Sequence, residues 1–150
     1  MQKSPALLAA LLLGSLAACQ QSGAGAESGV PGDASSREPY DGIAEGETLH
    51  FLGTEPFWGG EVTGGALTYD TPEDPDGTTI SVERFPGRGG LSFHGSLEGK
   101  DFLMAVTPAR CSDGMSDRTF PFAVTLQLGE ELRNGCGYTE KQPFTGPETP

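Results

Sequence analysis

Phe120-Pro121-Phe122-Ala123-Val124-Thr125-Leu126-Gln127-Leu128 is the stretch that decides how this chain folds. Phe120, Phe122, Val124, Leu126 and Leu128 recur at period 2, with Pro121, Ala123, Thr125 and Gln127 between them, the pattern of a strand with one buried face. Gly129-Glu130 follows as a two-residue turn, glycine being suited to the first position of type II′. The returning strand carries Leu132, Asn134 and Cys136 on one face.

Working outward, the same alternation recurs between Gly, Pro and Asp punctuation. Strands are expected over 49–53, 57–63, 66–70, 78–84, 91–97, 100–107, 120–128 and 131–138, and no segment has a helical period. Phe102, Met104 and Val106 alternate, as do Ile80 with Val82 and Leu91 with Phe93, and Gly64-Gly65 joins two strands as a hairpin. About eight short strands with short links predict an all-β fold, a small antiparallel up-and-down barrel, with a flattened β-sandwich as the alternative. With few large apolar residues, a barrel filled by its own side chains is favoured over one enclosing a ligand.

The N-terminal part has a different character. Lys3 is followed by an unbroken apolar run from Ala6 to Leu13 and then small residues, which is the form of an export signal. The run is too short to span a bilayer, which takes about 20 apolar residues. It ends in Leu16-Ala17-Ala18-Cys19, which resembles the bacterial lipobox. That resemblance implies a signal peptide over 1–18, cleavage before Cys19, and a palmitate-type lipid modification of Cys19 that ties the chain to a membrane. Gln20 and Gln21 follow, and neither is the Asp that retains lipoproteins at the inner membrane in the best-known sorting rule. The expected location is the outer membrane, facing the periplasm. Residues 20–47 are rich in Gly, Ser, Ala, Pro and Glu with no apolar period, so 19–47 reads as a lipidated flexible tether reaching roughly 30 Å. Tyr40 and Ile43 could dock on the domain, though nothing in the sequence requires it. The domain is expected over 48–140, with 141–150 as a disordered tail.

Composition narrows the function classes. Lys and Arg number 9 against 21 Asp and Glu, for a formal net charge of −12, and removal of Lys3 with the leader makes it one unit more negative. A nucleic-acid partner is not expected, because phosphate attraction needs a basic face. A basic protein partner fits the charge, as does plain solubility. Of three cysteines, lipidation accounts for Cys19, and export leaves Cys111 and Cys136 to pair in an oxidising compartment. Closing that loop contributes about 3.5 kcal/mol in the chain-entropy model.

Two stretches carry the candidate site. The first is Gly53-Thr54-Glu55-Pro56-Phe57-Trp58, in which Glu55, Phe57 and Trp58 are a candidate anchor for a partner. Trp58, the single tryptophan, has a structural role open to it as well: plugging one end of the barrel, with Glu55 capping it or pairing with Arg110 or Arg118. The second is the polar loop 111–119, in which Ser112, Asp113, Ser116, Asp117 and Arg118 form a candidate recognition loop fixed at Cys111. Asp113 and Asp117 have the chemistry to hold a hard cation, to make Asx turns, or to pair with Arg110 and Arg118.

These stretches, together with Gly135-Cys136-Gly137, resemble an uncharacterised family of bacterial lipoproteins. That family shows Glu-Pro-Phe-Trp near the start of its domain, then Cys-x-Asp-x-Met-Ser, an aromatic-Pro-Phe and a closing Gly-Cys. The aromatic is usually Tyr, where this chain has Phe120. The resemblance implies a location and a fold and no reaction.

Catalytic constellations are missing from the sequence: it has neither a Gly-x-Ser-x-Gly nor a phosphate-binding loop. His50 and His94 fall out of phase with the apolar faces and are expected outside. In 71–83, Asp74, Asp76, Gly77 and Glu83 match parts of a calcium loop, but Pro72 stands at its first ligand position, so an acidic hairpin loop is expected. No metal, no cofactor and no enzymatic activity are expected. The leading expectation is an envelope-anchored binding or support module. The alternative is an inhibitor of a basic envelope-attacking enzyme such as lysozyme. Membrane-bound lysozyme inhibitors are likewise small lipoprotein barrels with a disulfide, although their Ser-Gly-x-x-Tyr motif is absent here.

Overall fold

The computed structural model describes residues 38–147. The export signal, Cys19 and the first part of the expected tether lie outside the described residues. Eight strands follow in order: β1 (Leu49–Thr54), β2 (Phe57–Thr63), β3 (Ala66–Thr71), β4 (Asp74–Pro86), β5 (Leu91–Leu97), β6 (Lys100–Cys111), β7 (Phe120–Leu128) and β8 (Glu131–Thr139). Each pairs antiparallel with its neighbour, and β8 returns to β1 to close the barrel. This is the expected up-and-down barrel rather than the sandwich. Closure leaves no strand edge unpaired.

The register of the last hairpin sets the interior. The two-residue turn places Leu128 opposite Glu131, and Gly129 has φ 60° while Glu130 stays negative, as type II′ requires. Residues directly opposite share a face. The buried Phe122, Val124 and Leu126 therefore face inward with Gly137, Gly135 and Arg133. The row of Leu132, Asn134 and Cys136 lies on the outer side, and Leu132 is 66% exposed.

The inner glycines make room for Trp58, which is 3% exposed. A Cβ at Gly53 or at Gly135 would run into its indole ring. Trp58 packs 5.8 Å from Phe51 and stacks on Tyr69 at 6.2 Å. With Phe93, Phe102, Met104, Phe122 and Leu126 it fills the barrel.

Connections in such a barrel alternate between its two ends. At the end holding the β7–β8 turn, Arg133 donates to the Tyr69 hydroxyl and, at 2.6 Å, to Glu131. At the other end the expected tether departs from expectation. Ile43 is buried in the core, the Arg84 guanidinium donates to its carbonyl at 2.7 Å, and the Tyr40 N–H donates to the Gly87 carbonyl at 2.7 Å. The folded unit thus begins near Tyr40, not at 48. The reason is that an open barrel mouth exposes apolar side chains, and a single isoleucine covers them without showing any period.

The expected disordered tail is corrected in the same way over 141–147. Thr145 bridges to Thr119, and Phe144 packs against Phe120 at 5.5 Å and Tyr138 at 5.1 Å. Phe120 belongs to this outer aromatic cluster and not to the barrel core, although it is in phase with Phe122. The β6–β7 register slips between Pro108 and Cys111, and Phe120 pairs with Cys111 beyond the slip.

Candidate functional site

Cys111 and Cys136 form a disulfide with Cα atoms 5.6 Å apart. Because Cys136 lies on the outer side of β8, the bridge pulls the loop after β6 over the outside of the barrel. The Asp113 carbonyl then accepts a hydrogen bond from the Thr54 hydroxyl at 2.9 Å, which fixes the loop against the end of β1.

Within the loop, Asp113 is committed to local structure. One carboxylate oxygen accepts from the N–H groups of Met115 at 3.0 Å and Ser116 at 2.9 Å, and the other accepts from the Ser116 hydroxyl at 2.7 Å. This is the Asx-turn reading. Burial alone would raise the Asp113 carboxyl. The hydrogen bonds from Ser116 and Met115, with the charge of Arg118, outweigh it and hold the group below its ordinary range. Arg118 sits over the Phe144 ring at 4.6 Å, and its Nε donates to the Pro147 carbonyl at 2.9 Å. Ser112 and Asp117 are exposed, Ser112 accepting from the Gly114 N–H at 3.2 Å.

Held in this way, the loop forms one wall of an open, mostly apolar groove of about 630 Å³. The opposite wall is the β3–β4 hairpin with Pro72 and Pro75, and Phe57 and Met115 stand at the rim, 53% and 67% exposed. Gly59 faces outward in β2 at the floor of the groove, buried beneath the carboxylate of its cross-strand partner Asp70. The structure therefore brings the two candidate stretches together: Phe57, Trp58, Asp113, Ser116 and Arg118 all line this groove. Glu55 and Ser112 line a smaller adjoining pocket, and Asp117 lines neither. Trp58 is a core residue whose indole N–H is buried without a hydrogen-bond partner among the described residues, so of the proposed anchor residues Glu55 and Phe57 are offered to solvent and only Phe57 of these two lines the groove.

Sequence reasoning passed over Asp70, Met115 and the two prolines. The signal that pointed to them was Gly59-Gly60 after Trp58, since paired glycines inside a strand mark a place where backbone is approached closely. Asp70 has no hydrogen-bond or ion-pair partner among the described residues. Its carboxyl is raised from the ordinary value, first by burial and then by the nearby charge of Asp74.

The calcium-like segment does not converge. Asp74 and Glu83 lie on one extended strand, about 30 Å apart at ~3.3 Å per residue. Among the described residues no group of three His, Cys, Asp or Glu side chains is placed to hold a metal ion. His50 and His94 both lie on the outer wall. His50 is 3.5 Å from Glu61 and stacked on Tyr138, and His94 is 3.1 Å from the Ser92 hydroxyl.

Comparison with family models, with curated proteins and with solved structures finds no match to this chain.

Proposed function

We propose that this chain is a lipid-anchored, non-enzymatic binding module of the bacterial cell envelope. In this reading Cys19 carries the lipid, the outer membrane holds the protein facing the periplasm, and the groove beside the disulfide-tied loop takes the partner. The observation that carries the reading is the groove itself: two stretches about 55 residues apart in sequence build one apolar, solvent-open recess with the Asp70 carboxylate in its lining. Such a recess offers surface to a partner, and its one serine, Ser116, is taken up with the Asp113 carboxylate that shapes the loop.

The test uses a photo-crosslinking amino acid placed at Met115, in the groove, or at Phe85, 64% exposed on β4 and outside the groove and its adjoining pocket. The expected result is a discrete envelope adduct from Met115 and none from Phe85. Equal labelling from both positions would remove the groove as the recognition surface. The anchor is tested separately: Cys19→Ser should move the protein from the membrane to the soluble periplasmic fraction.

The net charge of −12 favours a second reading, inhibition of a basic envelope-attacking enzyme. Titration of lysozyme activity with the Cys19→Ser chain checks it, and full activity at excess protein would sink it.

A further inference from the structure

We infer that the groove receives an arginine side chain presented by a basic protein, with Asp70 as its counter-ion and Phe57 and Pro72 as the walls along its stem. This rests on the binding-module reading and specifies its partner chemistry.

One carboxylate of the groove has no protein donor among the described residues. Asp70 is half-buried on the outer wall of β3, opposite Gly59. Its carboxylate lies over that glycine, 3.2 Å from where a Cβ would stand. Neighbouring acids find local partners: Asp74 accepts from the Thr78 hydroxyl at 2.9 Å, and Asp113 is held by Ser116 and Met115. Asp70 is left with none among the described residues, while the negative charge of Asp74 stands close by. A partly desolvated carboxylate that keeps solvent contact and has no protein donor is open to a charge-assisted hydrogen bond from an incoming cation.

The surroundings select the kind of cation. A metal ion would need several oxygen ligands converging on one point, and the groove does not present them. Phe57, Pro72, Pro75 and Met115 instead offer flat and apolar surface. A planar, weakly hydrated guanidinium on a three-carbon stem matches both features: it stacks on rings and forks onto a carboxylate. The one cation already lining the groove, Arg118, is engaged with Phe144 and Pro147 at the edge. Asp70 lines the groove over Gly59, so a head group lying in the groove meets its carboxylate. Overall charge supplies the long-range part, since a chain of net charge −12 draws basic partners.

The test uses the full chain with Cys19→Ser and two probes, the tripeptide acetyl-Gly-Arg-Gly-amide and its citrulline counterpart, which keeps the shape and loses the charge. Amide shifts are followed by NMR. The expected result is movement of the Gly59, Gly60 and Met115 amides, with the arginine peptide binding about fivefold more tightly than the citrulline peptide, from a partly screened ion pair and ring stacking. Asp70→Asn, which keeps the side-chain shape, should erase that difference, and its unchanged remaining spectrum would show that the barrel is intact. Equal binding of the two peptides, a preference that survives Asp70→Asn, shifts confined to other surfaces, or no shifts at millimolar peptide would each overturn the inference. The Met115 crosslink reports the groove irrespective of charge. A groove that crosslinks but ignores arginine therefore loses only the counter-ion role of Asp70.

Discussion

The inner and outer faces of the barrel wall around β1 and β2 use the same residue to opposite ends. Inside, Gly53 leaves a space that the Trp58 indole fills, and Gly135 one that the Leu52 carbonyl and the indole share. Outside, Gly59 leaves a space bounded by the Asp70 carboxylate and the Phe51 carbonyl. A glycine covered by a neighbour's ring belongs to packing. A glycine left beside an open recess, next to a carboxylate without a donor, belongs to recognition. The difference teaches that glycine content alone says little here, and that what occupies the vacated volume assigns the role.

The sharpest way to break the inner face is Trp58→Ala, which empties the volume that two glycines were shaped around. A loss of about 4 kcal/mol is expected in denaturant unfolding. Trp58→Phe should cost about half of that, because it also removes the buried indole N–H that has no partner. Ile43→Ala opens the mouth opposite Arg133 and should cost about 3 kcal/mol. A chain beginning at residue 48 should show a similar loss, and equal stability with and without 38–47 would restore the longer tether. Gly135→Ala pushes a methyl group to 2.2 Å from the Leu52 carbonyl and 2.9 Å from the indole. About 2 kcal/mol of destabilisation is expected there, with a shift in tryptophan fluorescence.

Glu47 probes how the mouth-closing segment is held. Its carboxyl lies below the ordinary value of 4.5, first through the Thr139 hydroxyl, against the opposing effect of burial, and then through the Ala44 N–H and Lys141 at 3.3 Å. A depressed carboxyl stabilises the fold above its unfolded pKa and loses that contribution as pH falls through the folded value. Wild type should therefore exceed Glu47→Gln in thermal stability at neutral pH. The gap should close as pH drops below about 4.5, and a gap independent of pH would exclude the ionised carboxylate as its cause.

The smallest stability effect is expected on the outer face. In Gly59→Ala the new methyl group meets the movable Asp70 side chain and the Phe51 carbonyl, each at 3.2 Å. Loss of glycine flexibility in the unfolded chain offsets part of that crowding, leaving a net change within about 1 kcal/mol. The same substitution fills the recess, so partner crosslinking from Met115 should fall. A variant that unfolds like Gly135→Ala, or that binds like wild type, would erase the distinction between the two faces.

Much of the barrel was legible because period-2 alternation and glycine turns are local signals. Phe122, Val124, Leu126 and Leu128 face inward as the pattern requires, and all eight strands lie within a few residues of their expected limits. Phe120 was misread because a register slip in its partner strand moved it to the outer cluster, and a slip between strands leaves no trace in either one alone. Ile43 and Phe144 were passed over because a lone apolar residue in a polar segment has no period to read. The site was legible in part: Phe57 and the loop residues were singled out, while Asp70 was not, since nothing near it in sequence marks it as unpaired.

The sequence by itself determined an all-β chain of eight antiparallel strands and the pairing of Cys111 with Cys136, because alternation, turn chemistry and cysteine count act over short spans or by elimination. Only the tertiary structure decided that β8 turns its glycines inward, that residues 40–47 close a mouth, and that Phe57, Met115 and Asp70 share one groove. Those outcomes depend on closing the sheet into a ring, which brings β8 against β1 and the loop after β6 against the first hairpin, across distances along the chain that no local pattern encodes.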